Sequence, residues 1–336
     1  MPPKGWLVLA LIVASGIVMR GVAIAASAHG PYAPVDVYTV DKQASRALLN
    51  FQNPYDVSYV VQGASTNIFA YLPLVPIYYA PFYMFGDIRY GSIVADVLTI
   101  VALYFIARSF EPRAANYAAL IYALLPVSIW LTSVSATNIM VGTAFLTVSI
   151  ALIQQKRFGL GSAVFGLGMA SNQLVILLFP IFCLYFWRVS QLRSIAYSLA
   201  VSALLILPAL ILSPAHFLSD VLSFQFSRPF QTNGYFGLYG ILYLASGVSL
   251  GLAVRAPLFL FSYILSLIAF RKSSGFLLYS SGAALLFGAF LLPVNGFWNY
   301  FLPSLAIGSA ALPMILFEYL NRATPVRPAV LSSPGN

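Results

Sequence analysis

Long hydrophobic segments separated by short polar breaks occupy most of the chain. They run over 5–27, 68–86, 91–109, 114–133, 139–155, 158–171, 174–187, 195–212, 236–270, 276–292 and 297–317. Most approach the ~20 apolar residues that a helix needs to cross a bilayer core. One stretch departs from this pattern. After the first hydrophobic segment, apolar residues fall at Val37, Val40, Ala44, Leu48 and Phe51. Spacings of three and four place them on one face of a helix. Asp41, Lys42, Gln43, Ser45 and Arg46 lie off that stripe, and Asp36 stands just before the first turn. The pattern predicts a short amphipathic helix on the membrane surface. It carries one carboxylate at its leading edge and a solvated Asp41 on its polar face.

Charge decides which hydrophobic segments cross. With 68–86 kept on the outer side, and with 236–246 a surface segment leading into a span over 247–270, about ten spans remain and both termini lie inside. Outer loops then hold only Lys42, Arg46, Arg89, Arg228 and Arg255, while Arg20 lies within the first span. The other basic residues face the cytoplasm, as the positive-inside rule requires. Letting 68–86 cross would move the following loops to the wrong side. The segments 158–171 and 174–187 are short for a full crossing and read as tilted pieces or a broken hairpin. The length of 5–27, and Arg20 near its far end, favour a retained span over a cleaved leader. The reading is one transmembrane domain over 1–320, with a first outer loop at 29–67 and a disordered cytoplasmic tail over 321–336.

Composition narrows the class. The chain is 60% hydrophobic and 7% charged, against about 25% charged in soluble domains. This is an all-α polytopic protein integral to the cell membrane. A net charge of +9 does not imply nucleic acid, because the basic residues sort to inner loops rather than to a basic soluble patch. Cys183 is the only cysteine, and His29 and His216 are far apart, so no disulfide, cysteine metal site or zinc site is expected. Asp36, Asp41, Asp56, Asp87 and Asp220 fall outside, and Asp96 lies within the second span. The polar outer segments are 29–67, 132–138, 171–173, 213–235 and 293–299, so any chemistry belongs on the outer face.

Several short motifs carry a family likeness. Asp36-Val37-Tyr38 opens the amphipathic helix. Asn53-Pro54-Tyr55 follows it, and then Phe69-Ala70-Tyr71-Leu72-Pro73-Leu74 with Pro76 and Pro81. Further on stand Leu124-Leu125-Pro126, Gly166-Leu167-Gly168, Arg228-Pro229 and the turn from Pro293 to Pro303. This arrangement resembles the GT-C superfamily of polytopic glycosyltransferases. It is closest to the branch that takes mannose or a related sugar from a polyprenyl-phosphate carrier. The resemblance implies an aspartate of the first outer loop as general base, and Asp36 stands at that position. It also implies a membrane-held, polyprenyl-phosphate-linked sugar donor, a glycan or lipid acceptor and no cofactor. Two departures matter. Thr137-Asn138 stands where some branches carry a second acid, which speaks against a metal-bridged carboxylate pair. Asn172 stands where a phosphate-holding lysine is usual.

The chemistry needs a base for the acceptor hydroxyl and a cation for the departing lipid phosphate. Asp36 suits the first task, although an aspartate there also caps a helix. For the phosphate, Arg228 in its aromatic-flanked segment leads; Lys42 and Arg46, spaced i,i+4, and His216 follow. Each has a plainer reading as an interfacial or headgroup contact, and Arg255 is a weaker candidate. Tyr38, Tyr71, Asn172, Asn299 and Tyr300 are candidates for contact with sugar or carrier; for the tyrosines of 71–83 an interfacial aromatic belt is the alternative. Arg20 either points toward the site or snorkels to the interface. Asp96, an acid within a span, pairs with Arg20 or Arg89 on the structural reading. The competing functions are a small-solute transporter or lipid flippase, and a GT-C relative that binds without turnover. A transporter would show polar residues at mid-span and paired halves, whereas the spans here are mostly Leu, Ile, Val and Ala.

Overall fold

The computed structural model describes residues 3–29, 36–61, 64–66, 68–224 and 236–323. It is a bundle of apolar helices. Among the described residues five helices are long and apolar enough to cross a membrane: α1 (Pro3–His29), α4 (Arg89–Phe110), α11 (Arg193–Leu212), α14 (Leu252–Phe270) and α16 (Leu302–Ala323). Helices α5 (Ala115–Ala123) and α6 (Pro126–Val134) form a bent pair, with a 43° break between them. Pro126 enters α6 at its first turn, where its missing N–H costs nothing. Shorter apolar helices complete the bundle: α7 (Asn138–Gln154), α8 (Phe158–Met169), the α9 (Gln173–Ile176) and α10 (Phe179–Arg188) pieces, and α15 (Phe276–Leu291). The expected short, broken hairpin over 158–187 is thus α8 followed by the two pieces α9 and α10.

Small residues set the closest approaches, as they do where helices pack without a hydrophobic driving force. A Cβ on Gly166 of α8 would meet the Ser198 carbonyl of α11 at 2.6 Å. One on Gly142 of α7 would lie 2.6 Å from the Asn172 Cβ. Phe165 and Phe182 stack at 3.6 Å between α8 and α10, with their rings 6° from parallel.

Inside the bundle, Asp96 of α4 is tied to Arg20 of α1 at 2.5 Å. Its oxygens also accept from Tyr122 (2.7 Å), Ser128 (3.0 Å) and Thr132 (2.8 Å). Arg20 further donates to the carbonyls of Gly16 and Ala123 and to Ser128 Oγ. The Ala123 carbonyl lies at the α5–α6 break, so the arginine satisfies backbone that the bend leaves open. Arg20 therefore neither snorkels nor points into a site. Arg89 pairs with Asp87 at 2.6 Å, not with Asp96. It also donates to Ser27 Oγ and the Ser133 carbonyl, joining α1, α4 and α6.

Between α1 and α4 no described helix is long enough to cross a membrane. This segment holds α2 (Asp36–Leu49), a 3₁₀ turn over Pro54–Asp56, a hairpin of β1 (Tyr59–Val61) and β2 (Ala64–Thr66), and α3 (Leu74–Met84). The strands pair antiparallel with Tyr59 opposite Thr66, a hairpin that the sequence reading left as loop. Helix α3 has 11 residues, or about 16 Å of helix, too short for a bilayer core. Likewise, α13 (Leu238–Ser246) ends at Gly247, whose φ of 70° turns the chain before α14 begins. The surface segment and the single span expected over 236–270 are therefore separate elements.

Helix α2 forms where the spacing predicts it, but its buried face is rotated. Val40, Asp41, Ala44, Ser45 and Ala47 are buried, and Phe51 is fully exposed at a φ of 58°. The expectation of a solvated Asp41 is thus overturned: its side chain is 0% exposed.

Candidate functional site

The first loop and the chain after α11 build one cluster. Aromatic side chains form its core. Tyr55 meets Phe69 edge-on at 5.3 Å and Phe217 at 5.1 Å, and Tyr59 stacks on Phe69 at 5.8 Å. Val40, Ala44, Leu72 and Val221 fill the space around them. Gln43 of α2 exchanges two hydrogen bonds with the Val60 backbone, at 2.8 and 3.0 Å. Its amide stands in for a strand partner and fixes the helix against β1.

Two carboxylates clamp the distant parts together. Asp220, in a π-helical turn over Ser219–Ser223, accepts the Phe69 amide at 2.9 Å. Asp56 accepts from Ser213 Oγ at 2.5 Å and Asn53 Nδ2 at 2.8 Å, and it meets His216 Nδ1 at 3.2 Å. Ser213 ends α11, and His216 lies in the short α12 (Pro214–Leu218). The chain that leads toward residue 228 is therefore fastened to the first loop.

The sequence-predicted residues are distributed as follows. Asp36 is the first residue of α2; it is exposed, and its Oδ1 accepts the Val37 amide at 2.9 Å. That leaves the carboxylate open to solvent on a helix seated against the cluster. Tyr38 is held between cations, with Lys42 Nζ 5.8 Å and the Arg89 guanidinium 5.5 Å from its ring centre. Burial, reinforced by Asp87, pushes its hydroxyl up to about 12. Lys42 thus leans on Tyr38, whereas Arg46 is exposed. Tyr71 is half-buried against Phe69, and its carbonyl accepts the Tyr55 hydroxyl at 2.7 Å. His216 is 63% exposed and is engaged by Asp56 and the Tyr55 carbonyl.

Asn172 is 2% exposed, and its Oδ1 accepts the Leu174 amide at 2.8 Å, an N-cap for α9. Asn299 lies in a 3₁₀ turn over Trp298–Phe301, its Oδ1 buried without a partner among the described residues. Tyr300 is half-buried, edge-on to Phe297 at 5.8 Å. Arg228 lies outside the described residues. So do the residues of the expected tail from 324 onward. Among the described residues, no three His, Cys, Asp or Glu side chains group so as to hold a metal ion.

Two features escaped the sequence reading. The first is a groove of about 480 Å³, lined by Met169, Leu177, Pro180, Ile206, Phe259 and Tyr263 among others. It lies between α11 and α14 beside α8–α10 and is almost wholly apolar. One turn above Phe259 on α14 stands Arg255, 3% exposed. It donates to the carbonyls of Leu250 (2.9 Å) and Leu292 and lies 5.3 Å from the Tyr239 ring centre. The second feature is Asp41. Val40, Asp41, Ala44 and Ser45 are buried at i, i+1, i+4 and i+5, with the half-buried Val37 and Leu48 continuing the same face at helical spacing. That signal was present in the spacing, but polarity argued against it.

A family model described as dolichyl-phosphate-mannose-protein mannosyltransferase matches residues 84–212. No curated protein matches the chain. Among solved structures, ArnT from Cupriavidus metallidurans bound to undecaprenyl phosphate superposes with a TM-score of 0.60 at 13% identity, covering 96% of this chain and 64% of that one. ArnT in the apo state gives 0.63 at 15% identity, with coverages of 95% and 60%. The apo oligosaccharyltransferase of Archaeoglobus fulgidus gives 0.55 at 13% identity, with coverages of 95% and 51%. The chain therefore spans about half to two-thirds of the length of the structures it matches. The chain shares its fold with these membrane proteins, and the segment matched by the mannosyltransferase family model lies inside that fold.

Proposed function

We propose that this protein transfers a hexose from a polyprenyl-phosphate-sugar to a glycan or lipid acceptor on the outer face of the membrane, with inversion at the anomeric carbon. The matching family's description names mannose, and mannose is the sugar proposed. The observation that carries the reading is Asp36: an exposed carboxylate at the leading end of a helix seated on the first-loop cluster, in a GT-C fold. It takes the proton of the acceptor hydroxyl as that oxygen attacks the anomeric carbon. One base and one displacement give inversion.

The apolar groove between α11 and α14 suits an isoprenoid tail, which gains from burial against Phe259, Ile206 and their neighbours. ArnT has been solved with undecaprenyl phosphate and the Archaeoglobus enzyme with a dolichol-phosphate, which supports a donor of this class. The lipid phosphate falls to Arg228, with Lys42 and Arg46 as further cations and His216 as a hydrogen-bonding partner. Arg255 is the weaker candidate, because it is buried and already donates to the Leu250 and Leu292 carbonyls.

The test is transfer of radiolabelled mannose from polyprenyl-phosphate-mannose in membranes containing the protein, with and without chelator. Asp36→Asn is expected to lower transfer by about 10²-fold or more, without change in thermal stability and without sensitivity to chelator. Undiminished transfer in that variant would remove Asp36 from the role of base.

A further inference from the structure

Helix α2 seats through Val40, Ala44 and Ala47, all buried. In the middle of that seat stands Asp41, with no exposed surface. Neither carboxyl oxygen has a hydrogen-bond partner among the described residues. None of the ion pairs among them includes Asp41. A carboxylate placed there would lose its hydration and gain no donor in exchange, so the group takes up a proton instead.

The groups around it confirm that no donor or cation is at hand. Ser45, one turn on, gives its hydroxyl to the Asp41 carbonyl at 2.8 Å and also approaches the Pro76 carbonyl of α3 at 3.3 Å. Tyr59 of β1 and Tyr79 of α3 lie within electrostatic reach of Asp41. Their hydroxyls are spent elsewhere: Tyr59 on the Pro54 carbonyl, Tyr79 on Ser92 Oγ and the Thr137 carbonyl, both at 3.1 Å. Asp220, the other acid near Tyr59, adds only like charge. Lys42, the next residue along α2, turns to the Tyr38 ring.

We propose that Asp41 is a positioning residue for Asp36: as a neutral carboxyl it lets α2 seat, and its ionisation unseats the helix and withdraws Asp36. The two residues lie five apart on one continuous helix, about 7.5 Å along its axis, so a shift at one end moves the other. The second half of this proposal rests on Asp36 acting as the base; the pH-dependent seat does not.

The sign follows from burial. Burial raises the Asp41 carboxyl well above its ordinary range. Below that ordinary range the group is protonated whether α2 is seated or not, and the seat is at full strength. As pH rises from there toward the raised value of the seated state, the unseated helix releases its proton first. Each pH unit then shifts the seating equilibrium toward the open form by up to about tenfold.

Two readouts on the full-length protein in nanodiscs test this. The first is hydrogen exchange of the segment 36–49, compared across pH at matched chemical-exchange dose, for wild type, Asp41→Asn and Asp41→Leu. The wild type is expected to lose protection as pH rises, and the two neutral variants to keep it. Equal pH dependence in all three would overturn the proposal, and the leucine variant decides the matter if the asparagine variant fails to fold. The second readout is the pH profile of mannosyl transfer. The alkaline fall of the wild type is expected to move upward by about one pH unit or more in the neutral variants. An unmoved alkaline limb alongside changed exchange would sever the link to Asp36. Absence of transfer in the wild type would count against the proposed function, while the exchange experiment would still decide the seat.

Discussion

Asp96 lies deep in the bundle with Arg20, Tyr122, Ser128 and Thr132 all donating to its carboxylate. Asp41 lies buried within the first loop with no donor to either oxygen among the described residues. Both are buried acids in a chain that carries only 8 acidic residues. The contrast separates two ways of keeping a carboxyl out of water. Within the bundle the carboxylate is met by a cation and three hydroxyls, because an unmatched ion there would be intolerable. In the loop the charge is given up, and the site stays apolar enough to seat a helix. The first solution locks four helices into one arrangement. The second leaves an element whose position depends on a proton.

The largest expected effect breaks the first solution. Arg20→Ala leaves the Asp96 carboxylate buried without its cation and exposes the Ala123 carbonyl at the α5–α6 break. Removing one partner of a buried pair costs about 3–5 kcal/mol, so a melt in detergent should show a fall of several degrees or no folded protein. A variant that melts with the wild type would mean that the Arg20–Asp96 pair does not hold the bundle together, and the contrast would collapse.

The next effect has the opposite sign. Asp41→Leu replaces an unmatched polar group by an apolar one of similar size. Relieving such a group should stabilise the protein by about 1–3 kcal/mol at neutral pH, read as a raised melting temperature. The gain should shrink as pH falls into the ordinary carboxylate range, because the protonated aspartic acid costs less to bury than its ionised form. A leucine variant that melts lower than the wild type would show that Asp41 has a favourable contact after all.

How far the sequence carried these conclusions differs between the two sites. The five long apolar helices were legible from hydropathy, because a bilayer demands such helices and tolerates little else, whereas the other expected spans are shorter or bent helices. Charge sorting kept 68–86 out of the membrane, and the 11 residues of α3 agree. The Asp96 pairing was half legible: an acid within a span demands a partner, and Arg20 and Arg89 were the two at the right depth. Choosing between them needed the packing of α1 against α4. Asp41 was misread for a physical reason. Period 3.6 leaves about 40° of freedom in the centre of a helix's buried face, and polarity was used to settle it. The true face includes two polar residues, Asp41 and Ser45, that burial overrides. The groove was not legible, because α8, α11 and α14 are far apart in sequence and their apolar surfaces look alike whether they meet lipid or one another. Asp36 was legible as a helix start, and its presentation by a seated α2 is what the structure adds.

The smallest expected effect completes the comparison with an acid that is neither buried nor alone. Asp56 is 47% exposed and meets His216, itself 63% exposed. Exposed pairs of this kind are worth about 0.2–1 kcal/mol, and salt screens them further. The clamp they belong to has stronger members. Tyr55 packs on Phe217 at 5.1 Å, and Asp220, 6% exposed, holds the Phe69 amide. His216→Ala should therefore lower stability by no more than about 1 kcal/mol, with the difference fading in high salt. A larger loss that survives salt would show that the imidazole acts through its contact with the Tyr55 carbonyl rather than through charge. In that case the order of the three acids would follow their hydrogen bonds to the backbone and not their burial. If the small, salt-sensitive loss is found, burial sets the order: the best-partnered buried acid matters most, the unpartnered buried acid is next and opposite in sign, and the exposed pair comes last.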